Sequence, residues 1–340
     1  MSDNAILETK SLKKYYEDSG GLLASLLGKK NRIKAVDNVD LRIEQGEVYG
    51  LVGESGSGKS TLGEAVIRLE EPTAGEIYFD GENILEFDRR ELHEFRRKAQ
   101  IIFQDPYGSL NPKKTVLQSV SEPLKNYGYE TADAEDRVRE LLFEVGLRPP
   151  EEFLQTYPAQ LSGGQLQRVN IARALVLEPD LLIADEPMSM LDVSIQAGIL
   201  KILEDLQNKL DFTILFISHN LALTRLVADK IGVMYSGKIV EEGDVEEIMK
   251  RPKHPYTQAL MRSLPDLSTE RERVLLTSSA DDTDQRQVSG CNFHPLCPEK
   301  MDVCENAEPG LAEAEDRNVR CYLYHDENEK EVQEAPVLRN

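Results

Sequence analysis

No stretch of this chain stays apolar long enough to make a membrane-spanning helix, which needs about 20 consecutive apolar residues. The first ten residues, MSDNAILETK, lack the basic-then-apolar layout of a secretory signal. Both absences lead to the expectation of a soluble intracellular protein. Cations are in deficit: 40 Lys and Arg face 61 Asp and Glu, for a formal net charge of −21. A nucleic-acid surface needs clustered cations, and adhesion to anionic lipid needs them too, so neither is expected. The acids are spread along the whole chain. That spread fits adaptation to a salty cytoplasm, where self-repulsion is screened, better than a dedicated acidic contact surface. Cysteine is scarce and uneven, with Cys291, Cys297, Cys304 and Cys321 all in the last fifth of 340 residues. No internal repeat is visible. What remains is a globular composition, 40% hydrophobic and 30% charged, with room for one large or two medium domains.

The chain is organised around residues 53–61, GESGSGKST, which fit the phosphate-loop pattern G-x-x-x-x-G-K-[ST]. The apolar run from Val48 to Val52 predicts a buried strand before it, and Leu62, Val66 and Leu69 recur at helical spacing after it. Gly53, Gly56 and Gly58 let the backbone wrap a phosphate with its N–H groups inward, and the helix N-terminus adds positive potential. Ser55, Ser57 and Thr61 complete the loop. Lys59 is expected to reach the β- and γ-phosphates and Ser60 to ligate Mg²⁺. A glycine-rich turn with a chance Lys-Ser is the bland alternative; the flanking strand and helix speak against it. The expected ligand is a nucleoside triphosphate.

Elsewhere strands and helices alternate, which predicts parallel βαβ units. Val39, Leu41 and Ile43 alternate with polar residues as in a half-buried strand. Residues 17–34 are expected to be an inserted loop. From about Leu110 to Gln160 the pattern is helical and broken by prolines. Ile199, Leu203, Leu206 and Leu210 mark one helix face, and a hairpin is expected around Ser236-Gly237. From residue 251 a polar extension begins, its last stretch (326–336) charged and loose.

Further features point to the same pocket. Asp185 and Glu186 end an apolar strand, where parallel sheets bind ligands. Asp185 is placed to hold Mg²⁺ and Glu186 to deprotonate an attacking water. Gln104 and His219 lie at two other strand tips, and Asp192 follows Asp185 by seven residues. Leu161-Ser162-Gly163-Gly164-Gln165 opens a helix with the stripe Leu166, Val169, Ala172 and Leu175; Ser162 is its expected cap, and a plain cap is the alternative to an anion site.

Together these motifs resemble the nucleotide-binding subunit of ATP-binding-cassette (ABC) transporters. Residues 53–61 resemble Walker A, 181–186 Walker B, 161–165 the signature, 189–192 the D-loop, Gln104 the Q-loop glutamine and His219 the switch histidine. The resemblance runs from about Glu8 to Glu247. It implies an α/β fold of the P-loop NTPase class: a RecA-like core, an N-terminal antiparallel β subdomain, a helical subdomain (about 110–160) and a cysteine-containing C-terminal extension (251–340) after the cassette (1–250). It implies ATP hydrolysis with Mg²⁺ held by Ser60, Gln104 and Asp185, and catalysis by Glu186, His219 and Gln104. Tyr16 takes the place of the adenine-stacking aromatic, with Tyr15 beside it as the competing choice. It also implies a head-to-tail dimer with a second ATPase, itself or a paralogue, in which Ser162 and Gly164 contact the γ-phosphate of the partner's ATP; Gly163, Gln165 and Asp192 complete the implied ATP-binding residues.

FQDPYGSLNP (103–112), DEPMSMLDVSIQA (185–197) and HPYTQALMRSLP (254–265) narrow the resemblance to the oligopeptide/dipeptide importer ATPases, and the Gly-Leu-Leu-rich insertion to their F-type member. That implies two integral membrane permease subunits, an extracellular solute-binding protein, no nucleic acid, and a peripheral place on the cytoplasmic face of the membrane. Alternatives are a non-transport ABC ATPase, or an importer of this class carrying sugars or nickel. The cysteine spacings, C-x5-C-x6-C-x16-C, do not fit the short knuckles of structural zinc sites, and a cytosolic place disfavours disulfides. In the importer family this segment resembles one that binds a [4Fe–4S] cluster; four thiolates suit such a cluster and also Zn²⁺.

Overall fold

The computed structural model describes residues 4–17, 32–262 and 289–326. The expected 17–34 loop lies mostly outside them; at its edges Glu17 and Arg32 already belong to strands. Of the segment 326–336, only Asp326 is described.

Two sheets carry the fold. The smaller is antiparallel: β1 (Ala5–Glu17), β2 (Arg32–Glu44), β4 (Ala74–Phe79) and β5 (Glu82–Asn83), in the order β2-β1-β4-β5. In β2, Val39, Leu41 and Ile43 are buried, as their alternation predicts, while the intervening residues face out. The larger sheet has a parallel centre of β3 (Val48–Val52), β6 (Ala99–Ile102), β7 (Leu181–Asp185) and β8 (Thr213–Ser218). β9 (Lys230–Tyr235) lies parallel to β3, and β10 (Lys238–Asp244) turns back against it. Ser236 and Gly237 make that turn with φ of 46° and 82°, the left-handed pair that a two-residue hairpin requires.

Every residue of β3, β7 and β8 is buried, because helices or the small sheet cover both faces. Alternate side chains feed two cores. Val52, Leu182, Ala184, Ile214 and Phe216 join one, and Leu51, Leu181, Ile183, Leu215 and Ile217 join the other. The second core also takes α1 (Lys59–Val66), α2 (Arg89–Lys98) and the small sheet. The first takes α3 (Val116–Asn126), α4 (Thr131–Glu144), α5 (Glu151–Leu154), α6 (Gly163–Leu175) and α7 (Val193–Leu210). Leu166, Val169, Ala172 and Leu175 of α6 and Ile199, Leu203 and Leu206 of α7 are buried, as their spacing predicts.

Leu69 departs from expectation. α1 stops at Val66 because Arg68 turns left-handed (φ 55°), with the Leu69 amide bonded back to the Glu64 carbonyl. Leu69 is left 47% exposed, beyond the helix to which its spacing assigned it.

α8 (Leu221–Thr224) lies between β8 and β9; after β10 come α9 (Val245–Lys250), α10 (Pro255–Arg262) and α11 (Val303–Asn306). Two three-residue strands, β11 (Ala312–Ala314) and β12 (Arg317–Val319), then extend the large sheet beyond β10 in the order β11-β12-β10-β9-β3-β8-β7-β6. Arg317 fastens them. Its side chain is fully buried and bonds Glu241 Oε1 at 3.3 Å and the carbonyls of Glu247 and Arg251 at 3.1 and 3.0 Å. Among the described residues, no helix is long and apolar enough to cross a membrane.

Candidate active site

The loop between β3 and α1 is closed tightly on both sides. A side chain at Gly53 would meet the Met234 carbonyl oxygen at 2.2 Å, and one at Gly58 the Ala35 carbonyl oxygen at 1.9 Å. Gly58 also caps α1 in the left-handed region, φ 104°, where only glycine is at ease. The loop thus has little room to change, and the first amides of α1 are left for a ligand. Lys59, almost fully buried, folds back over it and donates to the carbonyls of Gly53 and Glu54, each at 2.8 Å. Burial lowers the Lys59 pKa, opposed by Glu186, Asp185 and Glu54.

The strand tips bring the other residues in. Ser60 Oγ donates to Asp185 Oδ1 at 3.0 Å, which sets two oxygen donors side by side as a hard divalent cation requires. Burial raises the Asp185 pKa, with the Ser60 hydrogen bond working against it. Glu186, one residue on, has φ 42°, a conformation that costs a non-glycine residue about 1–3 kcal/mol. Its amide is held by the Ile217 carbonyl at 2.9 Å, and its carbonyl accepts from Ser189 at 3.1 Å. Its Oε2 receives Gln104 Nε2 at 3.2 Å and lies 3.0 Å from His219 Nδ1. Gln104, Asp185, Glu186 and His219, spread over more than a hundred residues of sequence, are therefore brought together beside Ser60.

The signature residues have neighbours of their own. Ser162 caps α6 by accepting from the Gln165 amide at 3.3 Å, and Gln165 Oε1 answers to the Ser162 amide at 2.9 Å, a reciprocal capping box. The neighbours of Gly163 are Leu191 and Tyr107, and that of Gly164 is Ile195. Asp192, at the start of α7, uses no side-chain capping bond. It sits between the exposed apolar residues Met190 (59%) and Val193 (80%). Of the two adjacent tyrosines, Tyr15 gives its hydroxyl to Asp37, whereas Tyr16 is exposed and carries Lys14 Nζ over its ring. Tyr16 pairs with Ile33 in β2, two residues from the Ala35 that rests on Gly58.

Several supports carry no motif. Gln196 Nε2 bonds the carbonyls of Met188 and Leu191 and so fixes the segment before Asp192. Asn170, on α6, bonds Pro106 and Ser109 just past Gln104, which ties that loop to the signature helix. Tyr256, on α10, accepts the Glu54 amide at 3.1 Å. Only its place in the HPYTQAL stretch marked it in the sequence.

Cys291, Cys297, Cys304 and Cys321 line one small pocket with His254, Pro255 and Phe293. The Cys291 amide bonds the Cys304 carbonyl at 2.8 Å. Burial, more than the neighbouring sulfurs, raises the Cys291, Cys297 and Cys321 thiols, the last to about 12. Among the described residues, no group of three or more His, Cys, Asp or Glu is arranged to hold a single metal ion.

Comparison with known proteins shows the family. Residues 36–189 match the ABC transporter family, and residues 240–304 match the C-terminal region of oligopeptide/dipeptide transporters. The chain is 42% identical to the oligopeptide transport ATP-binding protein AppF of Bacillus subtilis, over 95% of this chain and 98% of that one. It is 41% identical to the dipeptide transport ATP-binding protein DppF of Haemophilus influenzae, over 93% and 96%. Among solved structures, the ATP-binding cassette MJ0796, a dimer bound to ADP and Pi, superposes with a TM-score of 0.62 at 32% identity, covering 70% of this chain and 98% of that one. The chain belongs to the ABC transporter family, as an ATP-hydrolysing cassette that carries the C-terminal region of oligopeptide/dipeptide transporters.

Proposed function

We propose that this chain is the ATPase subunit of an importer for oligopeptides, dipeptides or similar small solutes. The observation that carries the reading is the joint presence of a complete strand-tip cluster and of the importer-type C-terminal region. Residues 1–250 form the cassette, 110–160 its helical lobe and 251–340 the extension.

Lys59 and the loop amides bind the β- and γ-phosphates; Ser60, Asp185 and Gln104 would hold Mg²⁺, which would supply positive charge against the transferring phosphoryl group. Glu186 takes the proton of the attacking water, and His219 and Gln104 orient its carboxylate. Tyr16 stacks on the adenine. Ser162, Gly163, Gly164, Gln165 and Asp192 serve the ATP of a second ATPase, itself or a paralogue, with Met190 and Val193 at that contact. The exposed Phe103 and Tyr107 beside Gln104 suit docking of permease subunits; so docked, the chain would sit on the cytoplasmic face of the membrane, with a solute-binding protein joining from outside.

The four thiols suit a [4Fe–4S] cluster by donor chemistry: soft sulfur ligands around one apolar pocket. A single Zn²⁺ needs its four sulfurs about 2.3 Å from one point, a convergence absent among the described residues. Cys291, Cys297, Cys304 and Cys321 would hold the cluster, and its bonds would cross-link three segments of the extension. Uptake of labelled di- and tripeptides by cells tests the importer reading. Replacing the chain by its Glu186→Gln variant should abolish ATP-driven peptide uptake, and unchanged uptake of every peptide would refute it.

A further inference from the structure

The cysteine-bearing segment reaches the phosphate loop by two separate routes. In the first, Phe293, on the wall of the four-thiol pocket, packs edge-on against Tyr256 with ring centres 5.6 Å apart, and Tyr235 closes the cluster at 4.6 Å from Tyr256 and 5.4 Å from Phe293. The Tyr256 hydroxyl accepts the Glu54 amide at 3.1 Å. The carbonyl of the same residue receives Lys59 Nζ at 2.8 Å. One residue, Glu54, thus separates a tyrosine of the C-terminal region from the lysine at the phosphate loop. In the second route, Asn292 Nδ2 donates to the Ser236 carbonyl at 3.3 Å. The next residue, Gly237, donates its amide to the Ser57 carbonyl at 2.9 Å.

The loop is therefore gripped near both ends, at Glu54 directly by the Tyr256 side chain and at Ser57 by the Gly237 amide, whose turn the Asn292 side chain holds. Tyr256 is 1% exposed, and removing its hydroxyl would strip the Glu54 amide of its acceptor. Lys253 and His254, just before Tyr256, donate their amides to the buried Glu241 at 2.9 Å each. This anchors the helix that carries Tyr256 to the large sheet.

We propose that Tyr256 and Asn292 are positioning residues for the phosphate loop, holding residues 54 and 57 from the C-terminal region so that ATP affinity depends on how the cysteine segment is seated. The inference rests on residues 53–61 being the phosphate loop. Neither residue touches the reacting atoms, so the effect falls on binding rather than on the chemical step.

The test uses the full chain with Tyr256→Phe, which removes one oxygen and keeps the aromatic stack, and separately Asn292→Ala, with Asn292→Gln as the conservative rescue. ATP binding is measured by titration calorimetry, kcat and KM by phosphate release, and backbone hydrogen exchange over residues 48–62 by mass spectrometry. The expected result is ATP affinity weakened about three- to tenfold, KM raised in parallel, kcat within twofold, and faster exchange confined to the loop. Unchanged affinity and loop exchange in both folded variants would overturn the proposal. Lys59→Ala separates the two readings. If it still binds ATP normally, the phosphate-loop assignment itself fails. If it abolishes binding while Tyr256→Phe and Asn292→Ala leave binding intact, only the inference falls.

Discussion

Glu186 Oε2 and His219 Nδ1 lie 3.0 Å apart, although one side chain follows β7 and the other β8. Adjacent parallel strands deliver both to one edge, and the same Glu186 oxygen also takes Gln104 from the tip of β6. The carboxylate is fixed from both sides, with its backbone in a costly left-handed turn.

Glu186→Gln should lower ATP hydrolysis by about 10²- to 10⁴-fold, the usual scale for loss of a general base, while ATP binding persists. Phosphate release and nucleotide titration check both halves. Turnover within tenfold of wild type would remove Glu186 from the role of base.

Acid should weaken the N-terminal sheet through Asp37. Burial acts to raise its pKa, but the Tyr15 hydrogen bond and Lys238, at 3.0 Å, prevail and hold it at about 2, below the ordinary 3.8. A depressed carboxylate adds stability that is present above its unfolded pKa and lost as pH falls through the folded one. The gap corresponds to about 2 kcal/mol, lost between about pH 4 and pH 2. Asp37→Asn should therefore flatten that part of the stability-pH curve by about this amount. Identical curves in urea titrations would contradict the assignment.

Arg317→Met should destabilise the C-terminal hairpin, because it strips a fully buried Glu241 of its cation. Removing one partner of a buried pair costs about 3–5 kcal/mol. Pairing it with Glu241→Gln should recover part of the loss, since no uncompensated charge is then left. Denaturant unfolding measures both, and a loss under about 1 kcal/mol from the single variant would show that the pair does not hold the hairpin.

Much of the site was legible because its residues sit at positions with a physical signature. Asp185, Glu186, Gln104 and His219 end or follow apolar runs, and parallel sheets gather such ends. Ser162 announced itself as a cap with Gln165 three residues on. The rest lacked such a signal. Strands of three residues are too short to show alternation, so the joining of β11 and β12 to the large sheet could not be read. Tyr256 meets Glu54 across 202 residues, and a contact of that range leaves no local periodicity. Leu69 kept helical spacing by coincidence, because the left-handed Arg68 had already ended the helix. Cysteine spacing alone did not reveal that the four thiols line one pocket, since Cys321 arrives only after the hairpin that Arg317 secures.

Protein purified without oxygen should contain iron and acid-labile sulfide in equal amounts, lowered by serine at any of the four cysteine positions. Stoichiometric zinc without iron would replace the cluster by a Zn²⁺ site.

The central claim is that this ATPase works on membrane partners. Native membranes are solubilised, the Glu186→Gln variant is captured with ATP, and the accompanying proteins are identified by mass spectrometry. The account predicts two integral membrane proteins, a solute-binding protein and, where the dimer is mixed, a related ATPase. Recovery with ribosomes or DNA, or of the chain alone, would contradict it.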